Sequence, residues 1–97
     1  MTTDFSRVFT LEVGGRPTLA FEARRTREAM ELCKESWLRE DLSSLKSNGV
    51  ALWDGNAVLT VRAANDSEAI VYGDAAAAAE PSDDLVLAYL VELDAPG

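Results

Sequence analysis

Hydrophobic and polar positions alternate over Val8–Val13, where Phe9, Leu11 and Val13 share one face and Thr10 and Glu12 the other. Alternation returns over Pro17–Ala23, with Leu19, Phe21 and Ala23 against Thr18, Ala20 and Glu22. Period-two patterning of this kind predicts two half-buried strands. Gly14-Gly15-Arg16 between them is a turn signal. A two-residue loop would set Leu11 opposite Thr18 and mix the faces. A three-residue loop, Gly14–Arg16, sets Leu11 opposite Leu19 and Phe9 opposite Phe21. Facing residues share one side of a sheet, so the three-residue loop is expected.

The period then changes. Met30, Cys33 and Trp37 form one stripe at helical spacing, and Leu38, Leu42 and Leu45 a second. The two are rotated by about a third of a turn at ~100° per residue. The reading is one helix, with Thr26 as N-cap, that breaks near Glu40-Asp41 and is followed by a helical turn to about 46; a single helix that wraps around its contact is the alternative. Ser47-Asn48-Gly49 ends it. A second hairpin is expected over Val50–Trp53 and Ala57–Ala63, around Asp54-Gly55. A short helix is expected near 66–72, interrupted by Gly73, with a mobile or weakly helical stretch after it, because Ala75–Ala79 offers little to bury. Leu85–Glu92 is apolar on both faces, which predicts a strand in the middle of the sheet.

These elements make one α+β domain over residues 1–97, with residues 1–7 and 94–97 loose. Its sheet is mixed, of about five strands, in the order ββαββ(α)β, with one main helix packed on one face. The order resembles the β-grasp of ubiquitin-like proteins over residues 8–93, in topology and not in any motif. The resemblance implies a final strand beside the first. It also implies a sulfur-carrier or modifier role through a terminal carboxylate, here Gly97. The chain ends Asp94-Ala95-Pro96-Gly97, with proline where that family has the first of two glycines.

Composition narrows the chemistry. The hydrophobic share is 47%, but fifteen of those residues are alanine, so the core must come from larger side chains. The net charge of −8 argues against affinity for nucleic acid or anionic membrane. Charge is uneven: residues 1–27 carry five arginines against three acids, and residues 28–97 four basic against fourteen acidic residues. Residues 1–20 show no signal-peptide run, no stretch is long enough to span a membrane, and a cytoplasmic location is expected.

There is no histidine, which removes the usual general base and the histidine-paired nucleophiles. One cysteine cannot build a structural zinc site. Cys33, on an apolar stripe, reads as a core thiol. No catalytic residue, cofactor or metal is expected.

Two candidates remain for binding. Arg24, Arg25 and Arg27 surround a helix start, where cations and free backbone N–H groups together could hold a small anion. The competing reading is surface pairing with Glu22, Glu28 and Glu31. The second candidate is the other face of the sheet, with Trp53, Val58, Val86, Ala88 and Leu90. Either residues 64–79 cover it, or it is open and serves a protein partner or a homodimer. The leading functional expectation is a non-enzymatic protein-interaction or self-associating domain.

Overall fold

The computed structural model describes residues 7–78 and 86–94. The fold is α+β. Strands β1 (Arg7–Val13), β2 (Arg16–Ala23), β5 (Leu59–Ala63) and β6 (Ala88–Tyr89) form an antiparallel sheet in the order β5-β1-β2-β6. β3 (Lys46–Ser47) and β4 (Val50–Ala51) make a separate two-stranded ribbon. Helices α1 (Thr26–Leu32) and α2 (Ser36–Ser44) lie on one face of the sheet and α3 (Asp66–Ala78) on the other.

In the first hairpin Phe9 pairs with Phe21 and Leu11 with Leu19, as the alternation requires. The loop, however, has two residues: Gly14 and Gly15 both take positive φ, and Val13 pairs with Arg16. The register shifts between Leu11 and Glu12, so a bulge at Thr18 absorbs the extra residue that the face-matching argument had placed in the loop. The Thr18 carbonyl accepts a bond from the Leu90 N–H at 2.8 Å, which joins the end of β6 to β2.

The helical segment breaks earlier than its stripes suggest. The N–H groups of Cys33, Lys34 and Glu35 bond back three residues, to Met30, Glu31 and Leu32, and Glu35 is extended. This tightened turn resets the helical phase. Ala29, Cys33, Leu38 and Leu42 then all face the sheet, while Met30 and Trp37 are exposed. Nor is the second hairpin at Asp54-Gly55. Asn48 (φ 53°) and Gly49 (φ 78°) form the tight turn, between β3 and β4. Asp54 instead accepts bonds from the N–H groups of Asn56 and Ala57, a side-chain-closed turn that frees the next strand to pair with β1. Both N–H groups of the Asn48-Gly49 turn bond the Asp94 carboxylate, at 2.8 and 2.7 Å, so Asp94 is anchored rather than loose.

Nothing lies within 4 Å of a Cβ placed on Gly49, so its substitution isolates the backbone cost. Gly49→Ala is expected to lower stability by about 1 kcal/mol, because alanine disfavours positive φ. Thermal melting should fall by about 4–8 °C. An unchanged melt would mean that the ribbon adds nothing to folding.

Among the described residues β6 is an edge strand beside β2, not the central strand expected, and it does not lie next to β1 as the last strand of a β-grasp does. Its two apolar faces have a different cause. Leu87 and Tyr89 pack toward α1 and α2, and Val86, Ala88 and Leu90 toward α3. A strand is buried on both sides wherever helices cover both faces, at an edge as well as in the middle.

α3 runs unbroken through Gly73 to Ala78. Glu68, Tyr72, Ala75 and Ala76 form its inward stripe. The alanines, which looked too small to hold a helix, suit an opposing surface made of Ala20 and Ala88. Small side chains on both sides allow close approach, and contact area replaces side-chain bulk.

Candidate functional site

The sequence candidates do not stay together. Arg24, Arg25 and Arg27 are all exposed. Arg25 occupies the N-cap position of the seven-residue α1 in extended conformation, and its side chain makes no capping bond. Of the interface set, Ala88 is buried against Ala20 and Tyr72, with Val86 and Leu90 half-buried around them, because α3 covers that face. Trp53 packs against the cluster on the opposite face. Val58 is 68% exposed, just before β5. The strip expected on the second face is therefore not one surface.

Trp53 instead lines a groove at the β5 edge, and Val58 stands beside that edge without lining it. Met30, Lys34, Arg39, Trp53, Leu59 and Val61 line a space of about 400 Å³ between α1 and β5. Trp53 is fixed by its indole N–H, which donates to the Ala57 carbonyl at 2.8 Å. The Arg39 guanidinium sits 5.7 Å from the Trp53 ring centroid, and its Nε donates to the Cys33 carbonyl at 2.9 Å. A cation over an indole face is favourable and holds the planar group in place. Met30 is 55% exposed at the rim. Cys33 forms part of the wall; burial raises its thiol pKa despite the Arg39 charge, which keeps it protonated and unreactive near neutral pH.

The backbone of β5 completes the site. Gly14 N–H bonds the Val58 carbonyl, and Ala64 N–H the Val8 carbonyl. Antiparallel pairing alternates, so residues 58, 60, 62 and 64 bond inward to β1, and Leu59 and Val61 direct their N–H and C=O groups outward. Among the described residues nothing pairs with those groups.

A larger cleft of about 620 Å³ is lined by Arg16, Asn65, Glu68, Val71, Leu90 and Glu92 among others. Its buried carboxylate is already satisfied. Glu68 accepts from Thr10 Oγ1, both Arg62 Nη groups and the Asn65 N–H, while Asn65 Oδ1 accepts from the Glu68 N–H. This is a capping box extended by an ion pair, and its directed groups serve the fold. Among the described residues no cluster of three or more metal-ligating side chains occurs, and no helix is long and apolar enough to cross a membrane.

Lys34, Arg39, Leu59 and Val61 carry no individual signal in the sequence, and Met30 reads there only as part of an apolar helical stripe. The run Ala57–Ala63 (AVLTVRA) carried the available signal, being rich in β-branched residues with one charge. Whether such a strand is central or open at an edge depends on long-range pairing. Compared with known protein families, characterised proteins and solved structures, the chain matches none.

Proposed function

We propose that this chain is a small, non-enzymatic, cytoplasmic protein-interaction domain that receives a strand of its partner along β5. The open edge of β5 carries the reading. An edge strand with unpaired N–H and C=O groups is a template for another chain. Natural proteins blunt such edges with charge, proline or bulges. Here Val58, Leu59, Thr60 and Val61 present none of these, and an apolar groove runs beside them. Main-chain bonds to Leu59 and Val61 would supply affinity, and the groove would select the side chains.

A photo-cross-linking amino acid at Val58 is expected to capture a partner in cells, and one at the equally exposed Ile70 on α3 is not. Val61→Pro should abolish the capture. Its missing N–H points outward, so the β1 ladder keeps its bonds and proline is tolerated on an edge. Met30→Asp, at an exposed position in the groove, is a second block that leaves the fold intact. Equal capture at Val58 and Ile70, none at Val58, or capture indifferent to both blocks would overturn the reading.

A further inference from the structure

We infer that the strand received at β5 is an acidic, extended segment of another protein, an inference that rests on the edge-strand reading above. The groove's charge carries it. The chain has nine basic and seventeen acidic residues. The groove takes two of the nine, Lys34 and Arg39, and none of the seventeen. A protein with net charge −8 thus shows a cationic lining beside the unpaired edge of β5.

Lys34 is exposed and makes no ion pair among the described residues. The Arg39 Nε is spent on the Cys33 carbonyl, which holds the guanidinium over Trp53 at the groove wall. Removing the guanidinium from a freely rotating state lowers the entropic cost of pairing it with a carboxylate.

The same lining argues against a second copy of the chain as the occupant. Symmetric pairing of β5 with its own counterpart would set two cationic grooves against each other, and the whole chains repel at −8 each. A strand bearing aspartate or glutamate two residues from an apolar one, so that both point to the groove face, satisfies every lining feature. Its backbone meets Leu59 and Val61, its apolar side chain meets Met30 and Trp53, and its carboxylates meet Lys34 and Arg39. Such a strand is short, since β5 has three outward residues, Leu59, Val61 and Ala63, and the Ala63 carbonyl already accepts from Arg62 Nη1. Weak, reversible binding with a salt-sensitive on-rate follows.

The test uses three labelled octapeptides in which threonine fills one face and, on the other, valine alternates with glutamate, glutamine or lysine, read by fluorescence anisotropy. The glutamate peptide is expected to bind about fivefold tighter than the glutamine peptide, as two partly exposed charge pairs allow, and the lysine peptide weakest. The difference should shrink as salt rises from about 0.05 M to about 0.5 M. Lys34→Glu, at an exposed site that leaves the fold intact, should narrow or reverse the order. Val61→Pro should abolish binding of all three.

Equal binding of the three peptides, lost in Val61→Pro, overturns the acidic preference and leaves the edge reading standing. So does failure of every peptide while the Val58 cross-link persists. Glutamate-peptide binding that is unchanged in Val61→Pro overturns both. A dimer in native mass spectrometry that vanishes in Val61→Pro assigns the edge to self-pairing and overturns the acidic partner.

Discussion

Replacing Phe21 by alanine is expected to cost about 3–5 kcal/mol, the range for deleting a buried aromatic ring. Phe21 is 1% exposed, the largest of the fully buried side chains, and lies at the centre of the cluster between the sheet and α1 and α2. Its ring centroid is 6.3 Å from that of Phe9, its cross-strand partner, with the planes tilted by 30°. The loss therefore has two parts, the transfer of the ring to water and a cavity that the facing helices cannot close. A domain of this size has about 5–15 kcal/mol to lose, so the variant should be partly unfolded at physiological temperature. Urea denaturation should show a midpoint that falls with an unchanged slope. A cost below about 1.5 kcal/mol, the level of a conservative swap, would mean that Phe21 is not the centre of the core.

Glu68→Ala is expected to cost about 2–3 kcal/mol, since hydrogen bonds to a charged group are worth about 1.5–3 kcal/mol and several are lost together. The substitution strands the buried Thr10 hydroxyl, removes half of the capping box and leaves Arg62 with Glu12 and the Ala63 carbonyl. Glu68→Gln should cost less, because the amide still fills the space. The same site sets a pH dependence. The Arg62 guanidinium holds the Glu68 carboxyl down at about 2, against partial desolvation, with the Asn65 N–H and the Thr10 hydroxyl assisting. A carboxyl depressed in the folded state contributes stability that is complete above its ordinary value near 4.5 and lost as pH falls toward 2. Stability measured between pH 5 and about 2 should therefore fall more steeply in the parent than in Glu68→Gln. Identical slopes would assign the acid limb to the other carboxylates. A double-mutant cycle of Glu68→Gln with Arg62→Met should return a coupling of about 1 kcal/mol or more; zero would mean that solvent screens the pair.

The first hairpin shows how far residue pattern reaches. The alternation of Phe9 and Leu11 with Leu19 and Phe21 is enough to establish their pairing, because a one-residue slip would turn every apolar side chain to the wrong face. That reasoning is about facing residues, and it cannot tell a longer loop from a shorter loop plus a bulge, which satisfy the same faces. Asn48-Gly49 was a hairpin signal as strong as Asp54-Gly55. In the sequence it reads as the end of a helix, because the two-residue strands beside it leave no periodicity to detect.

The α+β class, the Phe9–Phe21 register and the burial of Cys33 were legible in the residues, since each depends on neighbours within a few positions or on one short loop. The order of strands was not. The two apolar faces of residues 86–91 state that both sides are covered, and a central strand or an edge strand between helices meets that condition equally. Alanine at 75 and 76 states only that the side chain is small; its worth depends on whether Ala20 and Ala88 oppose it. Likewise β5 reads as a good strand anywhere, and it becomes a candidate binding edge only because β1 takes β2 on its other side and nothing among the described residues follows β5. Periodicity records how a segment meets its own faces. Which segment it meets is decided by contacts between residues far apart in the chain, and one sequence carries no local trace of them.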